Sequence, residues 1–138
     1  MIGQVEINNN DIFTTWGATL VKGGYEKLLL PPPMKDYIKN TSRLQNGNSV
    51  IVHAPRTDSR SVQLQFFIEG NSESDYLNKY ERFVDELQKG EIALKVFRLK
   101  TIYKLVYKKC SQYGNYGLKM GKFTVEFEEP NIDERIKL

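Results

Sequence analysis

Ser61 to Gly70 reads SVQLQFFIEG, and its alternation is the clearest structural signal in the chain: Val62, Leu64, Phe66 and Ile68 fall on one side, Ser61, Gln63 and Gln65 on the other. A period of two turns one face of a β-strand to a core and leaves the other to solvent or a partner. Directly after this stretch the period changes. From Glu73 to Lys89 the apolar residues Tyr76, Tyr80, Phe83, Val84 and Leu87 recur at helical spacing, which predicts an amphipathic α-helix. Its ends agree: Ser72 is placed to accept from the first-turn amides, Asp75 supports that end, and Gly90 offers a left-handed exit.

Downstream, three more strands are predicted at Ile92–Leu99, Thr101–Lys108 and Leu118–Glu128. In the last, Phe123, Val125 and Phe127 alternate with Lys122, Thr124, Glu126 and Glu128 before Pro130 ends it. The glycines of Tyr113–Gly117 precede a strand rather than a helix, so they read as a hairpin turn and not as a phosphate cradle. Upstream, residues 2–7 alternate as a strand, Asn8–Asp11 reads as a turn, and Ile12–Leu20 reads as the returning strand. Ser49–His53 reads as a short strand and Pro55–Asp58 as a turn. Between Val21 and Asn48 the pattern dissolves into Gly23-Gly24, Leu28-Leu29-Leu30 and Pro31-Pro32-Pro33. Prolines supply no backbone donors, so a long arm or loop with little regular ladder is expected there. Six or seven strands around one helix, joined by short connections, predict an α+β, mainly β architecture. The expected form is a split β-barrel or two packed antiparallel sheets with one flanking helix at 73–89, residues 1–138 making a single domain.

With 138 residues, 40% of them apolar and 27% charged, the composition is that of an ordinary globular chain. One cysteine, Cys110, and one histidine, His53, exclude an internal disulfide and the common zinc ligand sets. No catalytic, metal or cofactor site is expected. His53 has no nucleophile motif around it. Cys110 follows Lys108-Lys109 but reads as a free thiol at a strand end, and Glu126, Glu128 and Glu129 read as a solvated face rather than an acid/base pair. An enzyme is therefore not expected. No apolar stretch approaches the roughly 18 residues that span a bilayer, and Met1–Asn10 lacks the pattern of a signal peptide. Synthesis in a cytoplasm, without a membrane role, is the expectation.

The net charge of +3 conceals segregation along the chain: Glu91–Lys122 carries +7, Glu69–Gly90 −3, Phe123–Leu138 −3 and the first 68 residues +2. Lys95, Lys104, Lys119 and Lys122 are the candidate basic face. With Tyr103, Tyr107, Tyr113 and Tyr116 interleaved, segment 91–122 suits a nucleic-acid-binding module. Opposed signs within one chain also suit head-to-tail self-association that closes into a ring, the reading preferred here. Leu28, Leu29, Leu30, Pro31, Pro32 and Pro33 form an apolar arm that is the candidate subunit interface. The alternative is that it folds back over an edge of its own sheet. Trp16 with exposed tyrosines leaves a small carbohydrate-binding domain as a third reading.

Several of these segments resemble one family. An Asn-rich turn leads into Asp11-Ile12-Phe13 and Gly17-Ala18-Thr19-Leu20. A Pro-containing arm is followed by Asp58-Ser59-Arg60 and Val62-Gln63-Leu64. Ile68-Glu69-Gly70-Asn71-Ser72 precedes a helix ending in Lys89-Gly90, and Phe123–Pro130 closes the pattern. Together, over nearly the whole chain, they resemble the amino-terminal domain of phage distal tail proteins and the related tail-tube proteins. The resemblance implies a split β-barrel with one flanking helix and a structural, non-catalytic role. It also implies assembly as a ring, expected to be a hexamer, around the channel through which DNA leaves the capsid. Partners would be further copies of the chain and other tail or baseplate proteins, with at most non-specific DNA contact. The location would be a virion tail made in a host bacterial cytoplasm. Many members carry a further carbohydrate-binding-like domain, whose host-binding role is not carried over to these residues.

Overall fold

The alternation in Ser61–Gly70 organises the computed structural model of the chain, which describes residues 3–34, 38–41, 48–51, 58–115 and 117–138. In chain order the strands are β1 (Val5–Ile7), β2 (Asn10–Asp11), β3 (Ala18–Leu20), β4 (Ile38–Thr41), β5 (Asn48–Ile51), β6 (Arg60–Glu69), β7 (Glu91–Val96), β8 (Thr101–Asn115), β9 (Met120–Glu129) and β10 (Ile136–Lys137). The helices are α1 (Ile12–Trp16), α2 (Gly23–Leu29) and α3 (Glu73–Leu87). Along β6, Val62, Leu64, Phe66 and Ile68 are buried, while Ser61 and Gln63 are exposed. The strand pairs antiparallel with β9 from Arg60↔Glu129 to Glu69↔Met120. The main sheet has eight strands in the order β2-β1-β7-β8-β9-β6-β3, with β10 added on β8, and it is not closed. Every pairing in it is antiparallel. The α+β, mainly β expectation holds.

The sheet curls around one core. Val5, Ile7, Leu94 and Val96 from one flank meet Leu64, Phe66, Val125 and Phe127 from the other, and α3 adds Tyr76, Phe83 and Leu87. The capping expected for α3 is present: Ser72 Oγ accepts from Asp75 N at 3.1 Å, and Asp75 Oδ2 accepts from Asn71 N at 2.8 Å. Gly90 takes the left-handed exit at φ +95°. Across the gap in the sheet, the Arg98 guanidinium lies 5.2 Å from the Tyr25 ring centroid, joining the β7–β8 turn to α2.

Four expectations need correction. Ile12–Leu20 is not one strand but helix α1 followed by β3. Asp11 caps α1, accepting from Thr14 N at 2.9 Å and Thr14 Oγ1 at 2.7 Å, and Gly17 ends it at φ +63°. A Cβ on Gly17 would lie 2.6 Å from the Glu69 carbonyl oxygen, so the turn also depends on close backbone approach. Ile12 and Trp16, four residues apart, are both buried by this helix. The Val21–Asn48 segment has more regular structure than its glycines and prolines suggest, since it contains α2 and β4, and β4 pairs with β5 from Ile38↔Ile51 to Thr41↔Asn48. Strand β8 continues well past Lys108 to Asn115. Irregularities between Tyr107 and Lys109 and between Cys110 and Gln112 interrupt the period of two that would have revealed it. Among the described residues three α-helices, not one, accompany the sheet, although α3 alone is long. Residues 52–57, which include His53 and most of the turn expected at Pro55–Asp58, lie outside the described residues.

Candidate interaction surfaces

The candidate arm leaves the sheet at a defined place. Helix α2 packs along β6, where β3 covers only the far end of the strand, Phe66 to Ile68, so the helix shields an edge that would otherwise be open. Leu28 is 1% exposed and belongs to the core, whereas Leu29 and Leu30 are 65% and 59% exposed. Of the three prolines, Pro31 and Pro33 are exposed and Pro32 is half-buried. The outgoing and returning chains then meet, because Asp58 N donates to Pro33 O at 2.7 Å.

Beneath this base lies a buried charge cluster. Arg60 and Glu129 face each other across the β6–β9 ladder on its inner face, and Glu129 is 0% exposed. Arg60 Nε donates to Glu129 Oε1 at 2.6 Å, and Arg135 donates through Nε to Oε2 and through Nη2 to Oε1, both at 2.7 Å. The remaining Arg60 groups donate to main-chain carbonyls: Nη1 to Leu30 O, and Nη2 to Leu28 O at 3.1 Å. Both guanidiniums also lie over the Tyr103 ring, at 5.8 Å for Arg60 and 5.0 Å for Arg135. Burial by itself would push the Glu129 carboxyl upward, but the hydrogen bonds from Arg135 and Arg60, with their charges, hold it below its ordinary value. The Glu129 bond in turn raises Arg135. Reading Glu129 as part of a solvated face was therefore wrong. One signal pointed here: the alternation Phe123, Val125, Phe127 puts Glu129 on the apolar side, where a carboxylate needs a partner.

The basic segment 91–122 does not become a uniformly basic surface. Lys95, Lys104 and Lys122 lie on the outer face of the sheet, and Lys119 sits in the β8–β9 connection. Strand order sets acids beside some of the basic residues: Glu6 pairs with Lys95, and Lys109 with Glu126, whose charged groups are 3.9 Å apart, while Lys104 pairs with Ala93 and Lys122 with Gly114. The tyrosines take the other face. Tyr103 is buried, Tyr107 pairs with Phe127 and Tyr113 with Phe123. Tyr113 Oη meets Tyr76 Oη at 2.6 Å; Tyr116 lies outside the described residues. Tyr103 and Tyr107 thus face away from the lysines, whereas Tyr113 stays 47% exposed near Lys122 and Lys95 Nζ lies 4.8 Å from the Phe97 ring centroid. Trp16 is also buried, edge-on to Phe83 at 5.4 Å between centroids, and offers no sugar platform. Cys110 is exposed, and partial desolvation of its thiol pushes it up, away from the thiolate form. Between α2 and the outer face, Lys27, Gln63, Gln65, Gln112 and Thr124 line an open polar recess of about 360 Å³.

This architecture has a counterpart among solved structures. The fold is similar to that of SPP1 Dit (gp 19.1). The crystal structure of that protein, described as a paradigm of the hub adsorption apparatus in phages infecting Gram-positive hosts, aligns at a TM-score of 0.66 and 14% sequence identity. The alignment covers 91% of this chain and 48% of the Dit chain, so the chain spans about half the length of that protein. At this identity the likeness concerns the fold. No family model matches the sequence, and neither does any curated protein.

Proposed function

We propose that this chain is a structural component of a phage or prophage tail, of the distal-tail or tail-tube type. In this reading it assembles into a homo-oligomeric ring, a hexamer, around the DNA channel and connects the tail tube to the baseplate. The observation that carries the reading is the likeness to SPP1 Dit across nearly all of this chain. The arm base agrees with it: Leu29 and Leu30 project from the end of α2, where burial in a neighbouring copy would remove apolar surface from water. On this reading Leu28 serves the protomer's own core, and the interface is Leu29, Leu30 and Pro31 to Pro33. The other partners are tail and baseplate proteins, DNA contact is at most non-specific, and the site of action is the virion tail.

Native mass spectrometry of the full chain tests the assembly. A closed hexamer is expected, and the double variant Leu29→Ser with Leu30→Ser, which spares the buried Leu28, is expected to shift it to monomer while circular dichroism stays unchanged. A strictly monomeric wild type at high protein concentration, even with purified tail-tube ends supplied as template, would overturn the ring. A hexamer unchanged by the double variant would remove the arm from the interface. If instead the monomer bound DNA tightly with a steep salt dependence that neutralising Lys104 and Lys122 abolished, the nucleic-acid module would replace the ring.

A further inference from the structure

Arg60 and Arg135 share one buried carboxylate, and they hold it unequally. Arg135 grips Glu129 side-on with two donors, whereas Arg60 spends only Nε on it. The other Arg60 donors go to the carbonyls of Leu28 and Leu30, at the last turn of α2 and the start of the arm. A helix leaves its final carbonyls without intrahelical partners, so Arg60 acts as the cap of α2. We propose that segment 131–138 is a conformational latch: docked, it frees Arg60 to cap α2, and undocked, it withdraws that cap and loosens the base of the arm.

The coupling follows from the donors available. If Arg135 leaves, Glu129 Oε2 loses its partner while still enclosed, and a buried carboxylate oxygen without a donor is costly. Among the described residues, Arg60 and Arg135 alone donate to Glu129. The side-on grip that Arg135 vacates can be rebuilt by Arg60 Nε together with Nη2, the two donors on one edge of its guanidinium. Nη2 is the group bonded to Leu28 O at 3.1 Å; although it carries two N–H donors, turning the guanidinium edge to span both Glu129 oxygens draws it off that carbonyl and uncaps the helix. The latch is also lightly held elsewhere. Strand β10 has two residues, paired as Ile136↔Ile102 and Lys137↔Thr101, with one further backbone bond from Leu138 N to Lys100 O at 2.9 Å. Ile136 and Leu138 are themselves exposed. A partner that captured this short strand would pull on Arg135, and the effect would reach the opposite side of the node through a single carboxylate.

Hydrogen exchange on the full chain, read by mass spectrometry, tests this with wild type, Arg135→Ala and Arg135→Lys. In Arg135→Ala, peptides covering residues 23–34 should exchange about tenfold faster, the factor that corresponds to losing one charge-assisted bond, while α3 and β7 keep their protection. Arg135→Lys restores charge without the two-donor edge and should fall between. Acceleration confined to residues 129–138 would overturn the latch, because the segment would then undock without consequence for α2. Equal acceleration across the whole chain would also overturn it, as general destabilisation. If Arg135→Ala does not fold, the lysine variant carries the same comparison. The inference is independent of ring assembly.

Discussion

At one end of the β6–β9 ribbon the pair Arg60↔Glu129 is enclosed with Arg135 and Tyr103; at the other end, around Gly121, the ribbon receives the phenols of Tyr76 and Tyr113. The first end is held by charge and supports the arm and the C-terminal segment. The second is held by shape and supports α3. A buried ion cluster fails when one partner is removed or neutralised, whereas a packed aromatic end fails when volume is added. The two ends should therefore answer different perturbations.

The largest effect is expected at the charged end. Glu129→Ala leaves two guanidiniums facing a buried gap and should cost about 3–5 kcal/mol in a denaturant titration. An equal cost from a substitution at the tyrosine end would erase the contrast. The Glu129 carboxyl titrates below its ordinary value of 4.5, so as pH falls the unfolded chain takes up the proton before the folded one. Its stabilisation is complete above that ordinary value and is lost as pH drops through the folded value. Melting temperatures of wild type and Glu129→Gln should accordingly converge as the pH is lowered below the ordinary value of 4.5; a constant gap would contradict the assignment.

Next in size is Gly121→Ala. A Cβ there would lie 1.8 Å from Tyr76 Oη, and the enclosed ring has little room to yield, so a loss of about 1–3 kcal/mol is expected. The cost should fall in a Tyr76→Phe background, which removes the clashing oxygen; an undiminished cost would point to another neighbour. Tyr113→Phe removes one hydrogen bond and should cost about 0.5–1.5 kcal/mol, with no change in the acid limb of the stability profile. The smallest effect is expected away from both ends. Lys109 is largely exposed beside Glu126, and Lys109→Ala should change stability by less than about 0.5 kcal/mol.

Much of the scaffold was legible in the residues. Strand β6, helix α3 with its Ser72 cap and Gly90 exit, and strand β9 follow from unbroken periodicity and local end signals. Helix α1 was missed although its signals are local, because Asp11 and Gly17 bracket only five residues, and the Asn8–Asp11 turn was read as leading straight into a returning strand. Helix α2 was hidden by two glycines at its start, and the far half of β8 by irregularities that change the face its side chains take. The charged node was hardly legible: residues 60, 129 and 135 lie far apart or outside any shared period, and only Glu129's place on an apolar face hinted at it.

Local patterning settled which residues turn inward, where the long helix begins and ends, and that an α+β, mainly β fold would form. Those properties depend on neighbours a few residues away, so periodicity reports them. Packing against distant strands set that Leu28 joins the core while Leu29 and Leu30 do not. It also decided that a chain with segregated charge carries a partly interleaved outer face, and that Arg60 and Arg135 meet on Glu129. Those outcomes depend on strand order and register, which bring distant residues within a few ångströms and which no local pattern encodes.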